Sequence, residues 1–338
     1  MMKMSKFNID SLNCLIDLHL HLDGAISFEN AKNLMQLQGI DYKMSDEELR
    51  DSLVVSKKCN NLSEFLGKFI MPISLLQSKA SIKHAVINLI NELKAQGIMY
   101  AEIRFAPQLF TDEGLSIEEA TLAAIDGLKA TDFDGNFILC CMRDIDNIQD
   151  NIETIDVAYK YLNNGVCAID VAGDEYKFPI DEYDYIFKQA NLYGVPYTIH
   201  SGEADGPTSV YNSLKYKPSR IGHGIRSCED EKLLDILAKE NVALELCITS
   251  NLMTSIFDDV RKYPIKKLMN KNIKVTINTD DPSIEGIDLK HEYKLLIDNF
   301  NFSEKEIKQL LSNSIDASFA SNKIKEKLRY KLNNSIEL

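Results

Sequence analysis

Short apolar segments rich in β-forming residues recur along this chain of 338 residues and alternate with amphipathic stretches. Two of them, 138–142 and 166–169, are continuously apolar, as expected for parallel strands buried on both faces. Alternating strand and helix signals indicate βα units with right-handed crossovers. We therefore predict an α/β fold, a (β/α)8 barrel of the TIM type. Its strands are expected at 15–22, 98–106, 137–143, 166–171, 195–200, 220–223, 242–248 and 273–278.

The connection after the first predicted strand is unusually long, because the second strand begins only near residue 98. Ser45 and Glu48 have the spacing of a helix capping box in this connection. A later amphipathic face is formed by Leu62, Phe65, Leu66 and Phe69. We predict a helical insertion at about 24–96 that covers the barrel mouth, and further helices from Ser303 onward. The chain contains no linker or internal repeat, so residues 1–338 are expected to form one domain.

Charge and cysteine content limit the partners that such a chain can have. It carries 38 Lys and Arg against 51 Asp and Glu, a net charge of −13, which disfavours binding to nucleic acid. No apolar run approaches the ~20 residues that a membrane helix requires, and no signal peptide is apparent. The seven cysteines have no C-x-x-C spacing and lie mostly in apolar runs. We expect reduced thiols and a cytoplasmic protein without a membrane partner.

The first predicted strand carries two histidines, His19 and His21, at alternate positions. Alternate residues of a strand share a face, so both rings point to the same side. Two such imidazoles can donate nitrogen atoms to one Zn²⁺ at ~2.0–2.1 Å. Taken alone, the pair is equally compatible with an ordinary polar strand face.

Three other strand ends carry titratable residues. His200 ends one predicted strand, and Glu203 lies three residues later. His223 ends another predicted strand and stands between two glycines. Asp280 and Asp281 follow the last predicted strand, where adjacent like charges cost energy unless a cation or hydrogen bonds offset them. Separately, these elements could be a capped surface loop, a simple turn and an exposed Asp-Asp turn.

These residues share one position in the predicted fold. Four of the six histidines and the Asp280–Asp281 pair lie at carboxyl ends of predicted strands, and these ends converge on one face of a barrel. His84 and His291 lie in lysine-rich helical segments and are expected at the surface. Three imidazoles and one carboxylate suit Zn²⁺ with a position left for water. Such an ion lowers the pKa of its water towards ~7, which predicts hydrolysis at an electrophilic carbon.

Several motifs resemble, in order, those of the adenosine deaminase family. They are His-Leu-His-Leu-Asp-Gly at 19–24, His-Ser-Gly-Glu at 200–203, Gly-His-Gly at 222–224 and Asn-Thr-Asp-Asp-Pro at 278–282. Segments 100–107 and 170–175 also match, so the resemblance extends from about residue 13 to about residue 320. It implies a zinc-containing (β/α)8 barrel that hydrolyses the 6-amino group of adenosine and 2′-deoxyadenosine in purine salvage. The products would be ammonia and inosine or 2′-deoxyinosine.

The resemblance also implies a role for each matched position. One Zn²⁺ per chain would be bound by His19, His21, His200 and Asp280. Glu203 would protonate purine N1, which requires a carboxylic acid that keeps its proton. His223 would orient the attacking water and assist its deprotonation, with Asp280 also touching that water.

Four positions are implied in substrate binding. Asp281 would bond purine N7, and the backbone N–H of Gly173 would bond N3. His21 and Asp23 would lie near the ribose. The expected partner is a small purine nucleoside, and the chain is expected to be a monomer or a weak homo-oligomer.

Two departures from the family pattern affect the pocket wall and leave the implied ligands intact. Ile248 follows Cys247 where the family usually has proline, and Ser201 replaces the usual alanine after His200. We expect them to influence substrate preference. The alternatives are an adenine deaminase or an N6-methyl-AMP deaminase of the same family, a two-metal hydrolase of the same superfamily, and a nucleoside-binding protein without activity.

Overall fold

The computed structural model describes residues 9, 12–40, 43–55, 58–60 and 62–334. Within these residues, parallel strands follow one another around the molecule in chain order. They are β1 (Leu15–His21), β2 (Ile98–Phe105), β3 (Asp134–Arg143), β4 (Val166–Gly173), β5 (Thr198–Ser201), β6 (Arg220–His223), β7 (Ala243–Leu246) and β8 (Val275–Ile277).

Two backbone contacts join the β1–β4 sheet to the β5–β8 sheet. Ile169 of β4 pairs with Tyr197 beside β5, and Leu20 of β1 pairs with Asp280 after β8. The second junction is closed by hydrogen bonds from His21 N to Asp280 O at 2.9 Å and from Asp280 N to His19 O at 2.8 Å. The ring of strands therefore closes as in a (β/α)8 barrel, and the predicted fold class is confirmed.

The starts of three strands differ from prediction by two residues or more. β3 begins at Asp134 and not at residue 137, β8 begins at Val275 and not at residue 273, and β5 begins at Thr198 and not at residue 195. Pro196 accounts for the difference at β5, because it has no N–H to donate to a neighbouring strand. Its carbonyl nevertheless accepts a hydrogen bond from Ile169 N at 3.0 Å.

Helices alternate with the strands along the chain. They are α1 (Phe28–Gln38), α2 (Asp46–Leu53), α3 (Leu62–Leu66), α4 (Ile70–Ser74), α5 (Lys79–Ala95), α6 (Ile117–Lys129), α7 (Ile148–Lys160), α8 (Asp184–Tyr193), α9 (Pro207–Leu214), α10 (Glu231–Glu240), α11 (Ile248–Met253), α12 (Ile265–Asn270), α13 (Pro282–Glu285), α14 (Leu289–Phe300), α15 (Glu304–Ala317) and α16 (Asn322–Asn334). Among these helices of the described residues, none is long and apolar enough to cross a membrane.

The long connection after β1 contains α1 to α5, which lie inside the range predicted for the insertion. The capping box is present, with Ser45 N donating to Glu48 Oε2 at 2.7 Å and Glu48 N donating to Ser45 Oγ at 3.2 Å. Ser303 caps α15 in the same way, and this helix begins where further helices were predicted. The assignment of residues 1–338 to one domain, with an insertion at about 24–96, stays a prediction.

The barrel interior contains a chain of five charged side chains that are fully buried. In order of contact they are Glu102, Arg220, Glu245, Arg104 and Asp170. The four N–O distances along this chain are 2.7, 2.5, 2.9 and 2.7 Å. Each buried charge thus has an opposite charge beside it, as burial requires.

Candidate active site

His19 lies on the inner face of β1 and is completely buried. Its Nδ1 donates a hydrogen bond to Glu245 Oε2 at 2.7 Å. The other nitrogen, Nε2, has no hydrogen-bond partner among the described residues and lies 3.2 Å from Asp280 Oδ1. With the ring proton on Nδ1, a lone pair on Nε2 would face this carboxylate oxygen, which is favourable only with a proton or a metal ion between them.

His200 and His21 repeat this arrangement on the other side of Asp280. Nδ1 of His200 lies 2.8 Å from Asp170 Oδ2, so the two side chains are close enough to form an ion pair. Nε2 of His200 is then 3.3 Å from Nε2 of His21, which is itself 3.4 Å from Asp280 Oδ1. Three imidazole nitrogens and one carboxylate oxygen therefore converge on one point.

This group fits a metal ion. One ligand atom each from His19, His21, His200 and Asp280 lies within 4.8 Å of all the others. The four residues are the predicted ligand set, and the structure brings them together from β1, β5 and the segment after β8. Three nitrogen donors and one carboxylate match the preference of Zn²⁺.

Asp170 and Glu245, which hold two of the rings, were not predicted as part of the site. Burial alone would raise their pKa values, but His200 and Arg104 lower that of Asp170, and Arg104 and Arg220 lower that of Glu245. Both groups are therefore carboxylates that fix the ring orientation. A signal was present in the sequence, because each is a lone charge inside an apolar strand.

Glu203 follows β5 and is 5% exposed. Burial raises its pKa well above the ordinary value, and the negative charges of Asp280 and Glu175 raise it further. These surroundings therefore favour the protonated form of the carboxyl group. This is the state that the implied role as a proton donor requires.

His223 ends β6 with its Nε2 3.6 Å from both Glu203 Oε2 and Asp280 Oδ2. Burial lowers its pKa well below the ordinary value, so the ring is neutral. Tyr263 Oη donates to Asn251 Oδ1 at 2.9 Å, which turns the amide nitrogen of Asn251 towards His223 Nδ1 at 3.1 Å. Since Nδ1 accepts this hydrogen bond, the ring proton of His223 is on Nε2. Sequence reasoning missed Asn251 and Tyr263.

Asp23 and Asp281 each present a buried Oδ1 atom that has no hydrogen-bond partner in the part of the chain that the structure describes. Burial raises the pKa of Asp23 to about 6. Burial and the adjacent Asp280 raise that of Asp281 well above its ordinary value. Gly24 makes the position of Asp281 possible, because a Cβ atom on Gly24 would lie 1.8 Å from Asp281 Oδ1.

One cavity connects these groups. It is lined by the predicted residues His21, Asp23, Gly173, His200, Glu203, His223, Asp280 and Asp281, with His19 beneath them. Its remaining wall is apolar and is formed by Leu62, Phe65, Leu66, Phe69, Ile73, Ala106, Leu109, Cys140, Met142 and Ala172. The described residues of the lining include no lysine or arginine. The cavity therefore combines a metal-binding group, a protonated acid and an apolar slot of the kind that suits a planar ring.

The structure gives physical reasons for both sequence departures. Ile248 N donates to Glu292 Oε2 at 2.7 Å, a hydrogen bond that proline could not make. The Ser201 hydroxyl lies 2.9 Å from each of the Ser209 and Ser213 hydroxyls. Both residues thus make hydrogen bonds, Ser201 at the end of β5 and Ile248 at the start of α11.

The remaining histidines lie outside the candidate site, and one glycine of the Gly-His-Gly turn has a packing role. His291 is exposed as expected, but His84 is half-buried, because α5 packs against α1 and α6. A Cβ atom on Gly222 would lie 3.1 Å from the His19 ring, so this glycine allows the close packing of β6 against the metal-binding group.

Comparisons of this chain with a family profile and with known proteins point to the same family. The profile of the adenosine deaminase family matches residues 14–335. The adenosine deaminase of Haemophilus ducreyi is 42% identical over 323 residues, covering 93% of this chain and 94% of the relative. The adenosine deaminase of Clostridium acetobutylicum is 36% identical, covering 94% of this chain and 96% of the relative.

Solved structures show the same fold. The adenine deaminase of Arthrobacter aurescens superimposes with a TM-score of 0.88 at 25% identity, over 96% of this chain and 99% of the other. The N6-methyl-AMP deaminase of Arabidopsis thaliana has a TM-score of 0.84 at 22% identity, over 97% and 99% of the two chains. An amidohydrolase from Burkholderia ambifaria with bound zinc has a TM-score of 0.85 at 19% identity, over 96% and 90%.

Proposed function

The chain belongs to the adenosine deaminase family, and from this premise we propose that it hydrolyses the 6-amino group of adenosine and 2′-deoxyadenosine. The reaction cleaves a C–N bond of a cyclic amidine and releases ammonia and the corresponding inosine. The observation that carries this proposal is the position of Glu203. Its protonated carboxyl faces His223 and Asp280 in the cavity that the metal-binding group also lines.

We propose that one Zn²⁺ per chain is the cofactor, held by His19, His21, His200 and Asp280. When bound, this ion would lower the pKa of a water molecule at its open position. The convergence of the three imidazoles with Asp280 supports this assignment, as do the contacts of two rings with Asp170 and Glu245.

Glu203 would donate its proton to purine N1 as water attacks C6. Protonation of N1 removes the negative charge that would otherwise build up on the ring, and so makes C6 electrophilic. Its raised pKa supports this role, since an ionised carboxylate in the same place would repel the electron-rich nitrogen.

His223 and Asp280 would share the handling of the attacking water. Because Nε2 of His223 carries a proton, it would donate a hydrogen bond to the water oxygen and orient its lone pair towards C6. Asp280 Oδ1 faces the metal-binding histidines, whereas its Oδ2 faces His223. Oδ2 is therefore the oxygen that would accept the water proton, so that His223 orients the water and Asp280 is the base. This proton would then pass from Asp280 to the amino group as the C6–N bond breaks and ammonia leaves. The proton of the C6 hydroxyl would return to Glu203 as the C6 carbonyl forms, so that both carboxyl groups regain their starting states.

Four further groups would orient the substrate. Asp281, protonated because of burial beside Asp280, would donate to N7, and Gly173 N–H would donate to N3. The unpartnered Oδ1 of Asp23 needs a donor, which a ribose hydroxyl would supply beside His21. A free base would leave this buried oxygen without a partner, so the cavity favours a nucleoside over adenine.

A nucleotide substrate, such as N6-methyl-AMP, is disfavoured by the same cavity. A phosphate group requires cationic side chains, and the described residues that line this cavity include no lysine or arginine. Comparison of kcat/KM for adenosine, adenine, AMP and N6-methyl-AMP tests the assignment. Adenosine is expected to have the highest kcat/KM of the four. A higher kcat/KM for adenine or for either nucleotide would overturn the assignment of adenosine as the substrate.

Metal content and turnover test the two remaining candidate functions, a two-metal hydrolase and an inactive nucleoside-binding protein. A two-metal hydrolase of this superfamily usually has a lysine after strand four, where this chain has Ala172, Gly173 and Asp174. A metal content near two per chain would nevertheless favour it. Binding of adenosine without turnover in a zinc-loaded sample would favour a nucleoside-binding protein.

We propose a cytoplasmic location for the chain, since thiols persist in a reducing compartment. Free cysteines are found at Cys59, Cys140, Cys141, Cys167, Cys228 and Cys247. The expected state of monomer or weak homo-oligomer stays a prediction.

A further inference from the structure

Glu175 lies two residues after the end of β4, and its side chain reaches across to the turn that follows β5. It is 2% exposed. Both of its carboxylate oxygens accept hydrogen bonds from this turn. The donors are Gly202 N at 2.5 Å, Glu203 N at 3.0 Å, Ala204 N at 2.9 Å, Asp205 N at 3.1 Å and the Ser209 hydroxyl.

Four consecutive backbone N–H groups that point to one carboxylate form an anion-binding nest, occupied here by a side chain of the protein itself. The four N–H groups belong to the turn before α9, whose first residue is Pro207. The backbone groups that the carboxylate holds therefore lie in this turn and not in the first turn of the helix. Gly202 and Glu203 are buried, and without Glu175 their N–H groups would lose their partner. The conformation of the turn therefore depends on this carboxylate.

We infer that Glu175 is a positioning residue, which fixes the backbone of Glu203 and so the place from which that acid donates its proton. The inference rests on the proposed function, because it concerns how the proposed acid is held. Glu175 is also two residues from Gly173, the proposed donor to N3. One side chain thus links the segment that would bind N3 to the turn that carries the acid for N1.

Proton transfer sets a strict geometric requirement on this turn. The acid must lie within hydrogen-bond reach of N1, and a displacement of about 1 Å can lower the rate about 10²-fold. Glutamine at position 175 would keep the shape of the side chain but would direct N–H groups at the N–H groups of the turn. Glu175→Gln should therefore displace Glu203 while leaving the metal-binding group unchanged.

A double-mutant cycle distinguishes positioning from general stability. Glu203→Gln is expected to lower kcat about 10²- to 10⁴-fold. Glu175→Gln is expected to lower kcat for adenosine about 10²-fold with a much smaller change in KM. The double variant should be no slower than Glu203→Gln within about threefold, because Glu175 acts through Glu203. Zinc content should equal that of the wild type in all three proteins.

Two further variants separate this effect from folding. Glu175→Asp keeps the charge but shortens the side chain, and it should give an intermediate loss if Glu175→Gln does not fold. Glu306→Gln is the matched control, since it removes the carboxylate that caps the distant helix α15 and accepts from Ser303 N at 2.9 Å. It should alter the melting temperature only.

The outcomes separate the inference from the proposed function. Wild-type kcat in both Glu175 variants, or losses that multiply in the double variant, would overturn the inference alone. Wild-type kcat in Glu203→Gln would overturn the acid role and therefore the proposed function on which the inference rests.

Discussion

The proton on Glu203 is kept in place by burial and by the negative charges of Asp280 and Glu175. The neighbouring His223 is held neutral by burial. The candidate site therefore contains side chains whose protonation states differ from those of the same groups in water. Each state has a cause that substitution or pH can test.

The pH dependence of kcat should reflect the raised pKa of Glu203. The protonated form is the active one, so kcat is retained below the raised pKa and is lost as the pH increases through it. Measurement of kcat from acidic to alkaline pH should show activity well above the ordinary glutamate value of 4.5. Loss of activity as the pH rises through that ordinary value would contradict the assignment.

Tyr263→Phe tests whether the proton of His223 is held on Nε2. Without the tyrosine hydroxyl, Asn251 Oδ1 loses its donor and the amide is free to turn, so that His223 can place its proton on Nδ1. We expect kcat to fall about 10- to 100-fold, as for other partners of catalytic histidines. The control is Tyr330→Phe, because Tyr330 is 71% exposed. Equal kcat values for the two variants would exclude this role of Tyr263.

At the scale of secondary-structure elements, the strand ends were predictable from the sequence. Alternation in β1 placed His19 and His21 on one face, and the carboxyl ends of β5 and β6 placed His200 and His223 beside them. These predictions need only local periodicity and the rule that parallel strands end on the same face. All of the residues predicted to act at the site lie together in the structure.

The supporting side chains could not be predicted in the same way. Arg104 lies 141 positions before Glu245 and 66 before Asp170, and these contacts exist only after the ring of strands has closed. A lone charge in an apolar strand indicates an inward polar group, but periodicity does not say which other strand supplies its partner. The same limit applies to Glu175, whose donors come from the next strand end.

Arg104→Met tests the coupling between β2 and the metal-binding group. It leaves Asp170 and Glu245 without their shared cation, which should destabilise folding by about 3–5 kcal/mol. The His19 and His200 rings would also lose their fixed carboxylates, so zinc affinity should fall about 10- to 100-fold. Denaturant unfolding and competition with a chelator measure the two effects.

Arg261→Met is the matched control for this prediction. The Arg261 side chain is 76% exposed and pairs with Asp259 on the surface, so its loss should cost no more than about 1 kcal/mol. Zinc affinity should remain that of the wild type. If Arg104→Met behaved like this control, the buried charges would not support the metal-binding group.

At the scale of the whole molecule, the helices after β1 cover the barrel mouth. Leu62, Leu66 and Phe69 line the cavity opposite the catalytic groups. Ser63 Oγ donates to Asp174 Oδ2 at 2.5 Å, which connects α3 to the segment after β4. The cover supplies apolar surface to the cavity that Glu203 also lines.

Phe69→Ala tests the contribution of this cover to binding. Removal of the ring exposes apolar surface of the bound substrate, so KM for adenosine should increase about tenfold or more, with a smaller change in kcat. The neighbouring Ile70 is 74% exposed and provides the control Ile70→Ala, which should leave KM unchanged. Similar KM values for the two variants would show that the cover does not contact the substrate.

The central claim is that side chains from distant strands hold one zinc ion that the deamination of adenosine requires. The most direct measurement follows the absorbance of adenosine with the purified chain before chelation, after chelation and after zinc is returned, with the bound metal counted at each step. We predict one zinc per chain, loss of turnover with the metal, and recovery when one equivalent is restored. Full turnover by the metal-free chain, or none by the chain with one zinc bound, would contradict this account.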